Sequence, residues 1–234
     1  MAIRSGLATA LAPSNRRWRF HPKERGNAMT DTVLWDYPKS STSYRLRIAL
    51  NLIDEPYRIE TVNLLDGSQK SAEHLARNPQ GLVPVLDMDG QRLIQSLAIL
   101  EYLNDTRAAG FLPQDPIARA KIRALAMSLA VDVHPICNLS VMRHATGGEE
   151  PARTEWMHHF IAPGLWAFET LLGALPTGDF AFGDTPGLAE ICLIPQLYNA
   201  NRWGVAYDDC PRVKAIEAAC AALPAFRNAH PDRA

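Results

Sequence analysis

The sequence predicts an α/β part followed by an all-α part, and three observations support this fold class. Residues 32–107 alternate between short β-rich runs and short helical runs in the order βαβαββα. From residue 113 onward, long helical periodicities replace them. The chain of 234 residues, 47% of them hydrophobic, is long enough for one or two packed domains. We therefore expect an α/β domain over residues 30–110 and an all-helical domain over residues 113–234.

The first four elements of the α/β part follow from local patterns. Residues 32–38 (TVLWDYP) form a β-rich run that ends at a proline, which predicts a strand. Residues 42–53 place apolar side chains at helical spacing. Residues 57–65 alternate and are rich in β-branched residues, so we expect a second strand. Residues 71–79 (SAEHLARNP) predict a short helix that stops before its proline.

A hairpin and a helix complete the α/β part. Residues 82–96 (LVPVLDMDGQRLIQS) alternate on both sides of Asp89-Gly90, a dipeptide typical of tight hairpin turns. Ser96 then begins a helical run as its expected N-cap. The later helices are predicted over residues 116–145, 152–175, 188–204 and 211–223.

Composition excludes several classes of function. The net charge of −1 argues against a general binder of nucleic acid or of membrane surfaces. No apolar stretch approaches the roughly 20 residues of a membrane-spanning helix. The cysteines show neither C-x-x-C nor metal-ligand spacing, so we expect no metal and a reduced, cytoplasmic protein. They are Cys137, Cys192, Cys210 and Cys220.

The first 28 residues have a different composition from the rest. They are rich in Lys and Arg and show no hydrophobic periodicity. Their short apolar run, GLATALA, has its basic cluster on the wrong side for a secretory signal. Because Met29 opens a natural-looking start, we expect a disordered extension or a mis-assigned start codon. A basic tail that binds a partner is the alternative.

The stretch KSSTSYRLRIAL, residues 39–50, places several hydroxyl groups where a helix begins. They could simply cap the helix. Alternatively they could hold an anion, because a helix N-terminus carries about half a positive charge and unpaired N–H groups. Hydroxyl donors there would favour a thiolate over a thiol. The residues alone leave both explanations open, with capping the simpler.

The motifs together resemble the zeta class of the glutathione transferase superfamily. That class carries S-S-C-S-x-R-x-R-I-A-L, which stands here as SSTSYRLRIAL. The resemblance extends over about residues 32–231. Further motifs that carry it are NPQGLVPVL, LIQSLAILEYL, LPQDP, HPICNLSV, FGDTP and AFRNAHPDR.

The resemblance implies a fold, a cofactor and an activity. The fold would be a thioredoxin-like N-terminal domain followed by a helical bundle, usually in a homodimer. The activity would be glutathione-dependent cis–trans isomerisation of maleylacetoacetate, a small dianionic keto acid, by reversible thiolate addition. Maleylpyruvate isomerisation is the near alternative. A transferase or dehalogenase of electrophilic acids, and a non-catalytic scaffold, are the others.

The resemblance also implies which residues contact glutathione. Ser40 would stabilise the thiolate, with Ser41 and Thr42 as the next candidates. A cis peptide bond between Val83 and Pro84 would present backbone groups to the cysteinyl unit. The γ-glutamyl carboxylate would bind at the junction before the third helix, and the glycyl end near a loop glutamine. The further contacts are Ser43, Gln69, Gln95, Ser96, His134, Asn138, Leu139 and Ser140.

A dianionic substrate needs cations, and three residues are candidates. Arg202, in NANRW, matches an arginine that faces the active site in the class. Lys39 precedes the serines, and Arg45 lies one turn into the helix. For each, the alternative is an ordinary solvated surface charge.

The sequence departs from the class at two places. Thr42 replaces the motif cysteine, which keeps a hydroxyl but removes protein thiol chemistry. Gly187 and Glu190 replace the usual [ST]-x-x-D capping box. Glycine is an acceptable N-cap, so we expect this exchange to cost only a few tenths of a kcal/mol.

Overall fold

A computed structural model describes residues 31–175 and 178–233, so the expectations for residues 1–28 lie outside it. Its strands form one mixed sheet in the order β2-β1-β3-β4. Strands β1 and β2 are parallel, and the remaining pairs are antiparallel. The strands are β1 Val33–Asp36, β2 Arg58–Thr61, β3 Val85–Met88 and β4 Gln91–Ile94.

The helices confirm the predicted division into an α/β part and an all-helical part. Three α-helices alternate with the strands in the predicted order βαβαββα, and six follow within the described residues. The first three are α1 Ser41–Leu52, α2 Ala72–Arg77 and α3 Ser96–Arg107. The others are α4 Pro116–Ala130, α5 Leu139–Thr146, α6 Ala152–Leu172, α7 Leu188–Arg202, α8 Pro211–Ala221 and α9 Pro224–Ala229.

At two places the local structure agrees with what the sequence indicates. The turn between β3 and β4 has positive φ at both Asp89 (54°) and Gly90 (71°), as a two-residue hairpin of the primed type requires. Helix α1 is capped by Ser40, whose Oγ accepts a hydrogen bond from the Ser43 N–H at 3.3 Å. The start of α1 is therefore fixed by the first hydroxyl of the motif.

The helix predicted over residues 116–145 is wrong, because the structure breaks it into α4 and α5. Helix α4 ends at Ala130, and a series of turns leads to Asn138, whose side chain accepts from the Ser140 N–H and caps α5. Pro135 lies in the break; it has no N–H to donate and would clash with the carbonyl four residues earlier. The turns bring His134, Cys137 and Asn138 to line one cavity together with the first residues of α1.

The N-terminus of α7 shows why glycine replaces serine at residue 187. A Cβ on Gly187 would lie 2.7 Å from the Phe111 carbonyl oxygen, closer than real contacts allow. The Leu188 N–H donates to that same carbonyl at 2.9 Å, which holds the two segments together. Glu190 completes the cap by accepting from the N–H groups of Gly187 and Ala181.

The two parts share one apolar core rather than two separate ones. Helix α1 packs against α3 of the α/β part and also against α7 and α9 of the helical part. Buried Arg47 links α1 to β1 and to α9: it pairs with Asp36 at 2.7 Å and donates to the Ala229 carbonyl at 2.9 Å. None of the described helices combines the length and hydropathy that crossing a bilayer requires.

Candidate active site

A cavity of about 310 Å³ lies between the start of α1 and the helical part. This volume lies within the range typical of small-molecule sites. The walls come from both parts of the chain, so the cavity exists only when they are packed together. The lining residues are Tyr37, Lys39, Ser40, Ser41, Thr42, Leu64, Leu65, Gln69, Lys70, Gly81, Leu82, Val83, His134, Cys137, Asn138, Leu139, Ser140, Arg143, Met157, Asn199, Arg202 and Trp203.

The hydroxyl groups at the start of α1 form a series of hydrogen bonds in which each donor and acceptor can be assigned. Thr42 Oγ1 donates to the Val83 carbonyl oxygen at 2.9 Å. A hydroxyl has only one proton, so the 2.8 Å bond between Ser40 and Thr42 has Ser40 as its donor. Ser40 Oγ accepts in turn from the Ser43 N–H. The proton of Ser40 is therefore the mobile one, and it can turn toward an anion in the cavity.

The Val83–Pro84 peptide bond is cis, which confirms that prediction. Val83 lines the cavity, and its carbonyl faces Thr42. The preceding carbonyl, of Leu82, is bonded to His74 Nε2 at 3.0 Å and accepts from Asn78 Nδ2 at 2.9 Å. These side chains hold the backbone next to the cavity in one position.

The charged side chains that line the cavity are all positive. Four cationic side chains line it and no Asp or Glu does. Lys39 and Arg202 were predicted for this role; Lys70 and Arg143 were not. Lys70 donates to the Gln80 carbonyl at 3.1 Å, and the Arg202 guanidinium lies 5.8 Å from the centre of the Tyr198 ring. With its helix N-terminus, the wall suits a ligand with several negative charges.

The helical wall contributes uncharged groups. Burial, reinforced by the nearby Arg45, lowers the pKa of His134 to about 3, so its imidazole is neutral at physiological pH. Burial raises the pKa of the Cys137 thiol to about 11, so this cysteine stays protonated and unreactive. Asn138, Leu139 and Ser140 line the same wall, where the resemblance to the zeta class implied that they would lie. The described residues contain no group of side chains arranged to hold a metal ion.

Two predicted contacts are placed elsewhere. Arg45 is only 2% exposed and does not line the cavity; its guanidinium donates to Ser96 Oγ at 3.2 Å. Its assignment to a substrate carboxylate is therefore wrong, because α1 turns this side chain into the protein interior. Ser43 is fully buried, and its Oγ faces the Tyr37 N–H at 3.5 Å, so its side chain does not reach a ligand.

The junction before α3 also differs in detail from the prediction. Ser96 is the first residue of the helix, and Gln95, at φ 69°, takes the N-cap position. The Gln95 side chain donates to Gln80 Oε1 at 2.8 Å instead of capping the helix. Neither residue is part of the cavity wall, although both lie at the expected junction.

Sequence reasoning missed several residues of the wall. Arg143 follows Leu139 by four positions, so helical spacing places both on one face of α5 and could have identified it. Trp203 could not be found in this way, because it lies just beyond α7, where His158 Nε2 is bonded to its carbonyl oxygen at 2.6 Å. Asn199 precedes the predicted Arg202 by three positions on α7, so helical spacing could have identified it too, whereas Tyr37 belongs to the wall through tertiary packing.

Known proteins share this architecture and much of this sequence. The family model of the glutathione S-transferase N-terminal domain matches residues 31–105. A maleylacetoacetate isomerase of Rhizobium meliloti (strain 1021) is 55% identical over 87% of this chain and 98% of its own length. The holo structure of maleyl pyruvate isomerase, a bacterial zeta-class glutathione S-transferase, aligns with TM-score 0.83 and 40% identity over 86% of this chain and 98% of that one. Maleylacetoacetate isomerase from Anaeromyxobacter dehalogenans 2CP-1, solved with bound GSH in the active site, aligns with TM-score 0.79 and 40% identity, covering 88% and 97%.

Proposed function

Since this chain belongs to the zeta class of the glutathione transferase superfamily, we propose that it isomerises maleylacetoacetate to fumarylacetoacetate with glutathione as cofactor. One observation supports this most directly. The hydroxyl groups at the N-terminus of α1 share a cavity with four cations and no carboxylate. Such a cavity suits a thiolate together with a dianionic acid.

The cavity also suits the peptide part of glutathione. Gln69 Oε1 is buried in the wall without a hydrogen-bond partner, so an acceptor is available for a ligand N–H. Val83 also lines the cavity and offers backbone groups, and its carbonyl oxygen has a second lone pair beyond the one that Thr42 uses. We propose that Gln69 and Val83 hold the peptide, with its sulfur near Ser40.

Bound glutathione supplies a thiolate that adds reversibly to the cis double bond and allows rotation. The chain's own residues lower the activation free energy of this isomerisation in three ways. Ser40 turns its proton toward the sulfur at the positive end of α1, which favours the charged form. Lys39, Arg143 and Arg202 hold the substrate carboxylates. The same cations stabilise negative charge that develops on the keto oxygen.

Turnover assays distinguish this function from its neighbours. Purified protein is mixed with maleylacetoacetate, or separately with maleylpyruvate, with and without a catalytic amount of glutathione. We expect conversion that requires glutathione without consuming it, and faster with maleylacetoacetate. A preference for maleylpyruvate would reassign the substrate. Stoichiometric loss of glutathione with haloacids, without isomerisation, would replace the isomerase by a transferase.

We also propose that the protein is a cytoplasmic homodimer. All four cysteines are unpaired and buried, which is in keeping with a reducing compartment. Light scattering coupled to size exclusion tests the oligomeric state. A mass near 52 kDa, about twice the 25.9 kDa of the chain, would support the dimer, and a mass near that of one chain would contradict it.

A further inference from the structure

Two arginines of α1 are buried, but only one of them is paired with a carboxylate. Arg47 is 1% exposed and donates to both carboxylate oxygens of Asp36, at 2.7 and 2.8 Å. It also donates to the carbonyls of Pro38 at 2.7 Å and Ala229 at 2.9 Å. Its charge is neutralised and its donors are used, as a structural arginine in a core requires.

Arg45 is equally buried but has few partners. Its guanidinium donates to Ser96 Oγ at 3.2 Å, and its Nε is buried without an acceptor. Among the described residues, no carboxylate pairs with it. Its neighbours His134 and Cys192 are neutral, because burial lowers the pKa of the histidine and raises that of the thiol. A buried cation in these surroundings is unfavourable unless an anion compensates it.

The contact of Arg45 leads to a place where an anion can bind. Ser96 is the first residue of α3, a helix of 12 residues whose first-turn N–H groups have no partner within the helix. Arg45 occupies a lone pair of Ser96 Oγ, which leaves the hydroxyl proton of Ser96 free to donate elsewhere. The guanidinium, this hydroxyl and the helix terminus therefore add their positive potentials at one point.

We propose that Arg45 is a positioning residue for a carboxylate bound at the N-terminus of α3. It acts through Ser96: the guanidinium fixes the hydroxyl with its proton outward and supplies the buried counter-charge. The ligand group is the α-carboxylate of the γ-glutamyl unit of glutathione, so this inference rests on the proposed function. Arg45 thus serves the cofactor rather than the substrate.

A pair of peptides tests the inference by calorimetric titration. One is glutathione and the other is 4-aminobutanoyl-cysteinyl-glycine, which lacks only that carboxylate. We expect Arg45→Met to weaken glutathione binding roughly 10- to 100-fold, the range for a hydrogen-bonded charge. Its affinity for the second peptide should stay within about twofold of the unaltered protein's. Arg45→Lys, which keeps a point charge, should fall between the two.

Two further measurements separate positioning from a structural role. The effects of Arg45→Met and Ser96→Ala on glutathione affinity should not add, because both act on one carboxylate. The Tm of ligand-free Arg45→Met should equal or exceed that of the unaltered protein, since an uncompensated buried charge is removed.

Three results would overturn the inference, and they differ from those that overturn the proposed function. Equal loss of affinity for both peptides, a lower Tm of the ligand-free variant, or failure of Arg45→Met to fold would each make Arg45 structural. The isomerase would stand in these cases. No binding of glutathione by the unaltered protein would overturn both.

Discussion

At the scale of single residues, the hydroxyl proton of Ser40 is the part of the site on which the cofactor's reactivity depends. Thr42 has committed its own proton to Val83 and can only accept from Ser40. We therefore expect Ser40→Ala to raise the thiol pKa of bound glutathione by about one unit, equivalent to about 1.4 kcal/mol. Titration of thiolate absorbance at 240 nm measures this pKa. Ser128→Ala, which removes a hydroxyl of α4 outside the cavity, is the control.

An unchanged thiol pKa in Ser40→Ala would mean that Ser41 or the helix terminus, and not Ser40, stabilises the thiolate. Ser41 also lines the cavity and is the next hydroxyl in reach. The same titration on Ser41→Ala would then show the larger shift.

The neutral imidazole of His134 makes stability depend on pH. Its pKa is about 3 in the folded protein and near 6.5 in the unfolded chain, so between these values the unfolded chain binds more protons. Stability is therefore retained above pH 6.5 and falls as pH decreases toward 3. We expect denaturant titrations to show a loss of about 1 to 2 kcal/mol between pH 7 and pH 5. His134→Gln should reduce that slope and His144→Gln, an exposed control, should not; equal slopes in all three proteins would contradict the assignment.

At the scale of elements, Gly187 is a weaker N-cap than serine, but the packing of α7 against the Phe111 segment requires a residue without a side chain. Serine would cap α7 better in isolation, but any Cβ there meets the Phe111 carbonyl. We expect Gly187→Ser to destabilise the protein by about 1 to 3 kcal/mol, the usual range for forced contacts. Urea denaturation measures the change. A stabilised variant would show that the Phe111 segment moves aside at little cost.

Helix α5 contributes Arg143, one of the two cavity cations that sequence reasoning missed. Arg143 lines the cavity and has no ion pair among the described residues. We expect Arg143→Gln to raise KM for the dianionic acid about tenfold, with a smaller change in kcat, because one charge-assisted contact is lost. Lys121→Gln removes one positive charge from the exposed face of α4 and serves as the matched control. Equal effects of the two variants on KM would mean that Arg143 acts only through the net charge of the protein and does not contact the substrate.

The features that sequence predicted well are those decided by neighbouring residues. The Asp89-Gly90 turn and the Ser40 cap depend on a few consecutive positions. The orientation of Arg45 depends on how α1 packs against α3 and α7, and no short pattern encodes it. The break before α5 was encoded by Pro135, but the helical periodicity on both sides of it concealed the signal.

At the scale of the whole molecule, the described parts should unfold together. Helix α9 packs against α1, and its Phe226 is 3% exposed. We expect Phe226→Ala to cost about 3 to 5 kcal/mol and to lower the stability of sheet and helices alike in one transition. Circular dichroism and glutathione binding, followed across the same urea series, test this. Asn228→Ala, exposed on the same helix, is the control. Two separate transitions would mean that the parts fold independently.

The hydrogen bond between Arg47 and the Ala229 carbonyl also has a consequence for synthesis, because it joins residues 182 positions apart. At about 5 to 20 residues per second, a ribosome needs on the order of 10 to 40 s to make the chain between them. During that interval Arg47 has Asp36 and Pro38 as partners, but α1 lacks the helix that covers it. Helix α1 therefore leaves the ribosome well before the contacts that complete its packing.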